Sequence, residues 1–96
     1  MNVDMSMDYK RVERIVRGVS CHRRVQILEL LVREPGLSLK QISLRLRADF
    51  KVIAEHTRRM ELAGHLEKRQ VGRDVRHVPT DRGEQTLGFL RALATS

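Results

Sequence analysis

From Asp8 onward the chain carries apolar residues at helical spacing: Val12, Ile15, Val16 and Val19 recur, while Lys10, Arg11, Glu13, Arg14 and Arg17 face elsewhere. This predicts a first helix over residues 8–19, with Gly18 placed to end it. Residues 1–7 show no such period and are expected to be a loose arm. Ser20 is positioned to cap a second helix, from Cys21 to about Arg33. Its Val25, Ile27, Leu28, Leu30, Leu31 and Val32 leave almost no polar face, so it should be the central helix of the domain. Pro35-Gly36 forces a turn, and Leu37 can add a strand of one or two residues.

Ser38 followed by Gln41 has capping-box spacing, and Leu39, Ile42 and Leu46 give a third helix one apolar face. Asp49 can cap a fourth helix that runs to about Ala63 and stops at Gly64, a residue suited to a left-handed end cap. Ile53, Thr57 and Met60 should point inward, and Lys51, Glu55, Arg58 and Arg59 outward. Two extended runs follow, Leu66–Gln70 and Val75–Val78, around the glycine-containing turn Val71-Gly72-Arg73-Asp74. Thr80-Asp81 then opens a last helix with Thr86, Phe89, Leu90 and Leu93 as its apolar stripe. A short helix, a tight turn and a second helix with a basic outer face form a helix-turn-helix pattern, here followed by a ribbon. The expected fold is mainly α with a small β-hairpin, a winged helix-turn-helix. It occupies residues 1–96 as a single domain: an N-terminal helix (8–19), a winged core (20–79) and a C-terminal helix (80–96).

The register Ile53-Ala54-Glu55-His56-Thr57-Arg58-Arg59-Met60, then Ala63-Gly64-His65-Leu66, then Gly72-Arg73 and Thr80-Asp81-Arg82-Gly83 resembles the winged helix-turn-helix regulators of the ArsR and MarR type. Ala54 stands where the ArsR pattern has serine, Thr57 and His65 where it has leucine, and His77 and Pro79 where it has tyrosine and leucine. The shared spacing runs from about Arg23 to Gly83. The resemblance implies a transcriptional regulator whose terminal helices build a twofold dimer interface. A C2 dimer is also the commonest oligomer in general.

Lys plus Arg is 19 against 12 Asp plus Glu, a formal charge of +7. That excess points to a polyanionic partner without separating DNA from RNA or an anionic membrane. One Tyr, two Phe and no Trp leave little for stacking single-stranded bases. No apolar run approaches a membrane span, and no signal-peptide layout opens the chain, so no membrane partner is expected. A single cysteine fits a reducing compartment, and a cytoplasmic, nucleoid-associated protein is expected.

On the fourth helix Lys51, Val52, Glu55, Arg58 and Arg59 are candidates to meet double-stranded DNA. Arg58 or Lys51 could bond a guanine edge, and Glu55 could accept from a cytosine amine. The plainer alternative is a solvated face on which Glu55 pairs with Arg58 or Arg59 at helical spacing. On the ribbon Lys68, Arg69, Arg73 and Arg76 face only Glu67 and Asp74, and Arg45 and Arg47 would lie near phosphates. Ser38 is better read as a cap than as a phosphate ligand. Cys21 lies at a helix start beside His22, Arg23 and Arg24, surroundings that favour a thiolate. With no second cysteine in the chain, it is read as a small buried hydrophobe. His56, which matches the histidine of the ArsR pattern, is expected to make a local bond or a phosphate contact. His56 and His65 are not a same-face pair, and neither a metal site nor a cofactor site can be assembled. Catalysis lacks a nucleophile with an adjacent base. Two alternatives stay open: an architectural protein that coats DNA without preference, and a winged-helix module whose partner is a protein.

Overall fold

The structure, a computed structural model, describes residues 7–96; the expected arm falls outside them except for Met7. Five helices and one hairpin follow in the order α1 (Tyr9–Arg17), α2 (His22–Arg33), α3 (Leu39–Leu46), α4 (Phe50–Leu62), β1 (Leu66–Val71), β2 (Asp74–Pro79) and α5 (Asp81–Ala94).

The caps explain most of the boundaries. The Asp8 side chain accepts from the Arg11 amide and starts α1. Ser38 and Gln41 complete a reciprocal capping box at α3, with amide donors at 2.9 and 3.2 Å. Asp49 accepts from the Lys51 and Val52 amides at 2.9 and 3.1 Å and starts α4. At the other end of α4, Gly64 has φ +84°, its amide bonds to the Glu61 carbonyl, and the His65 amide bonds to the Met60 carbonyl. That pair is a Schellman closure, which only a residue at ease in the left-handed region supports cheaply. One expected cap is wrong. Ser20 does not cap α2; its hydroxyl donates back to the Arg17 carbonyl at 2.9 Å, and Cys21 occupies the cap position without a side-chain bond.

The core is aliphatic and centred on α2, as its apolar run implies. Ile27, Leu28, Leu30 and Leu31 are buried and meet Ile42 of α3, Ile53 and Met60 of α4, Leu66 of β1 and Leu87 of α5. Truncating any of these to Ala would cost about 2–5 kcal/mol through lost burial and the cavity left behind. Leu37 forms an isolated bridge with His77, so the hairpin gains a third, single-residue strand. The hairpin pairs Leu66 with Pro79 through Val71 with Asp74, leaving Gly72-Arg73 as a two-residue turn. Gly72 sits at φ +62°, the conformation that the first residue of a II′ turn requires.

The terminal helices are held differently. Leu87 and Gly83 anchor α5, and a Cβ at Gly83 would collide with the His65 carbonyl. No side chain of α1 is fully buried, and Ile15 is only partly so. Gly18 ends it in ordinary right-handed geometry; glycine is needed there because a Cβ would meet Ala63 and lie 2.7 Å from the His65 ring.

Candidate nucleic-acid interface

α3 and α4 are joined by Arg47, Ala48 and Asp49. Arg47 has φ +51°, unusual for a residue with a side chain, and so turns α3 into α4 at a cost of about 1–2 kcal/mol. Ile53, Thr57 and Met60 hold α4 against the core. The Thr57 hydroxyl, where the related pattern has leucine, is satisfied inside its own helix by the Ile53 and Ala54 carbonyls at 3.0 and 2.9 Å. Because these residues face inward, Lys51, Val52, Glu55, Arg58 and Arg59 project outward, and Phe50, at the start of the helix, is exposed beside them. Phe50 and Val52 are about half exposed, at 50% and 47%. Phe50 has the spacing of the inward stripe, three residues before Ile53 and seven before Thr57, yet as the first residue of α4 it stays half exposed.

The outward face of α4 is an ion-pair fork. Arg58 donates to Glu55 at 2.7 and 3.0 Å, and Arg59 donates to it at 2.8 Å. Hydrogen bonds from Arg58 and then Arg59 hold the Glu55 carboxyl down at about 2. The plainer sequence expectation is therefore realised in the protein by itself: Glu55 pairs with both arginines. His56 lies behind this face and accepts from Arg24 of α2 at 3.1 Å, with the Cys21 sulfur 4.0 Å from the same nitrogen. Burial, then the charges of Arg24, Arg23 and Arg59, pushes its ring below the usual histidine range. His56 thus makes the local bond.

The ribbon divides its cations between two faces. Arg69 and Arg76 are directly opposed in the register and share one face; Lys68 is opposed to the buried His77 and shares the other. Lys68 Nζ reaches Glu61 of α4 at 3.5 Å, so Glu61 joins Glu67 and Asp74 in opposing the ribbon's charge. Arg69 pairs with Glu67 at 2.8 Å. Arg73 at the tip and Arg76 have no ion pair among the described residues. At the ribbon base His77 Nδ1 donates to the Leu37 carbonyl at 3.1 Å, and its Nε2 stands 3.6 Å from Glu61 Oε1. Arg76 also lines a cleft with Ser38 and Lys40 at the start of α3. Arg45 pairs with Glu34 at 3.3 Å, and Arg47 is exposed in the turn.

Every cation put forward for DNA is thus on the surface of α3, the turn, α4 or the ribbon. No three His, Cys, Asp or Glu side chains come together as metal ligands among the described residues, and no described helix is long and apolar enough to cross a membrane. No protein-family model matches the sequence, and no curated protein matches it. Solved structures do. The homodimeric winged helix-turn-helix DNA-binding domain of a possible ArsR-family transcriptional regulator from Mycobacterium bovis superposes with a TM-score of 0.83, at 16% identity over 99% of this chain and 91% of that one. The fold is that of the ArsR- and MarR-type winged helix regulators. HlyU from Vibrio cholerae has a TM-score of 0.79 at 19% identity, covering 96% of this chain and all of the other, 100%. A crystal structure of MarR has a TM-score of 0.74 at 26% identity, covering 91% of this chain and 68% of that one.

Proposed function

We propose that the protein is a transcriptional regulator that binds double-stranded DNA with sequence preference, as a homodimer. The observation that carries this is the orientation of α4. Its inward residues are consumed by the core, so its first turns present Phe50, Lys51, Val52, Glu55 and Arg58 together, beside a basic ribbon. In a major groove, Arg58 or Lys51 bonds a guanine edge, Glu55 accepts from a cytosine amine, and Phe50 and Val52 meet thymine methyls. Arg59, Arg45, Arg47, Lys68, Arg69 and Arg76 contact phosphates and fix orientation, while Arg73 extends the contact at the wing tip. Such a protein works in the cytoplasm, on the nucleoid.

Dimerisation uses the terminal helices. Val12, Val16, Phe89 and Leu93 are exposed, and Ile15, Val19 and Leu90 floor an apolar groove between α1 and α5. The homodimeric state of the Mycobacterium bovis domain supports the same use here. Sedimentation equilibrium at micromolar concentration should give twice the 11.1 kDa chain mass. A monomer there would sink the proposal; Leu90→Arg should otherwise dissociate the dimer.

Selection of bound sites from a random duplex library tests the central claim. The expected product is an inverted repeat with half-sites about 34–36 Å apart, one helical turn. Recovery of unenriched sequence would favour an architectural, sequence-blind binder instead. The observation on that side is Glu55 itself, which engages both neighbouring arginines before any DNA is present.

A further inference from the structure

Glu61, in the last turn of α4, meets both strands of the ribbon. Its Oε2 stands 3.5 Å from Lys68 Nζ on β1, and its Oε1 stands 3.6 Å from His77 Nε2 on β2. Two local repeats bring them together. Glu61 lies one turn after the inward Thr57, and Lys68 and His77 are paired in the hairpin register on its inner face. His77 is also fixed from its other side. Its amide and its Nδ1 both donate to the Leu37 carbonyl, at 2.9 and 3.1 Å, just before α3 begins. One ring therefore touches the segment leading into α3 and the end of α4.

The Leu37 carbonyl can only accept, so Nδ1 carries a proton whether the ring is neutral or charged. A neutral His77 then turns the Nε2 lone pair toward Glu61 Oε1. Both atoms are buried, and neither has a hydrogen-bond partner among the described residues. Two acceptors facing each other away from water repel. The gap is too narrow for a water in line, which needs about 5.5 Å between its two partners. A single proton resolves the conflict. On Nε2 it makes an imidazolium that donates to the carboxylate, a charge-assisted bond that draws the pair to roughly 2.7–2.9 Å. Lys68, on Glu61 Oε2, is the other charge beside the pair. α2 and α5 also pack against β2, but their charges are engaged elsewhere. Glu29, Arg33 and Glu34 line a cleft with Arg45 of α3, and Arg82 donates to the Ala63 carbonyl.

We propose that Glu61 and His77 form a proton-linked clamp that sets the ribbon against α4, so that the pose of the wing depends on pH. With the proton in place the clamp is closed, and the ribbon is held at one angle to α4. When the proton leaves as pH rises, His77 stays on Leu37. The Glu61 carboxylate, on a side chain 18% exposed, swings out toward Lys68 and water. The ribbon then loses its buried polar tie to α4. The clamp stands on this geometry alone. Its effect on DNA rests on the proposed binding mode, in which Arg73 and α4 must reach one duplex together. In that mode Glu61 is a positioning residue.

The test compares the full chain with Glu61→Gln and Glu61→Ala at about pH 5.5 and about pH 8, across the range in which histidine changes charge. A glutamine amide can donate to the Nε2 lone pair or accept from its proton, so Glu61→Gln should stay closed throughout. Glu61→Ala should stay open throughout. Residual dipolar couplings of the ribbon amides report its angle to α4. Couplings of the unaltered chain should match Glu61→Gln at the lower pH and Glu61→Ala at the higher, changing over with the His77 ring nitrogens. His56 and His65 are present in all three chains, so differences between the chains report on the clamp. Couplings that do not change with pH overturn the proposal, as does a changeover retained in Glu61→Gln. Duplex affinity of the unaltered chain, relative to Glu61→Gln, should fall several-fold from the lower pH to the higher, as the competent pose becomes a fraction of the molecules. A clamp that moves while this ratio stays level overturns the link to the wing. Failure of all three chains to bind duplex at either pH tells against the DNA reading and not against the clamp.

Discussion

The α4 face and the ribbon both carry arginines, but they hold them in opposite ways. On α4, one carboxylate engages two guanidiniums within a helical turn, so Glu55, Arg58 and Arg59 form a fixed fork on a rigid element. On the ribbon, Lys68 and Arg69 are paired, yet Arg73 and Arg76 stand without an ion pair among the described residues. A fork of defined geometry suits discrimination between partners. Unopposed charge on a hairpin suits affinity for any polyanion. The two regions therefore divide the proposed binding between direction and strength, and that division can be broken experimentally.

The largest effect is expected from Arg58→Ala. Affinity for a selected site should fall by roughly tenfold to a hundredfold, with random duplex much less affected. Equal losses on both, measured by competition titration, would remove the distinction between helix and ribbon.

Glu55→Gln should come next. Releasing both arginines from their carboxylate should raise affinity for random duplex several-fold and narrow the ratio to the selected site. Because the Glu55 carboxyl sits near 2, the fork is expected to stay ionised from pH 8 down to about 4. Carbon-detected NMR titration of Glu55 should find its midpoint well below that of an ordinary glutamate, and an ordinary midpoint in the double Arg58→Ala, Arg59→Ala variant.

A smaller and uniform effect is expected on the ribbon. Arg73→Ala should weaken all duplexes by similar factors and flatten the salt dependence by about one unit of slope. Lys68→Ala should do less, because its ammonium is on the inner face with Glu61. Comparable salt slopes for the two variants would contradict the two-faced ribbon.

The smallest effect is on stability. His56 on the α2 side of α4 and His65 under α1 both sit below the usual histidine value of 6.5, chiefly through burial. A depressed histidine binds its proton more readily in the unfolded chain, so stability is full above about 6.5 and declines as pH falls below it. Urea denaturation at pH 7.5 and pH 5.5 should show the lower midpoint at pH 5.5. His56→Gln should lessen the difference without moving the ribbon contacts.

Much of this architecture was legible along the chain because it is written in local chemistry. Ser38 with Gln41, Asp49 before Phe50, and Gly64 and Gly72 mark boundaries through bonds and backbone angles that span a few residues. The repeat of Ile53, Thr57 and Met60 marks the inward face of α4, and hence its outward face. Ser20 misled for the same local reason: a hydroxyl before a helix can cap it or bond backward, and the chain close to it does not choose. Phe50 repeats with Ile53 and Thr57 at inward spacing, so periodicity assigns it to the core, and only its place at the very start of α4 leaves it exposed.

What the sequence by itself determined is therefore the set of elements, their order and the surface on which most cations lie, since periodicity and caps act over one or two turns. Tertiary structure decided which charges have partners. Lys68 is paired because β1 brings it to Glu61, and Arg45 because α3 crosses near Glu34. It also decided that His65 and His77, polar by type, are buried at 0% and 1% exposure, each bonded to a carbonyl far away in the chain. Likewise Arg14, Arg24 and Arg59, far apart along the chain, line one surface cleft between α1 and α4, where Gly18 lies against Ala63. Contacts of that kind depend on how the elements are placed in space, which no repeat along the chain records.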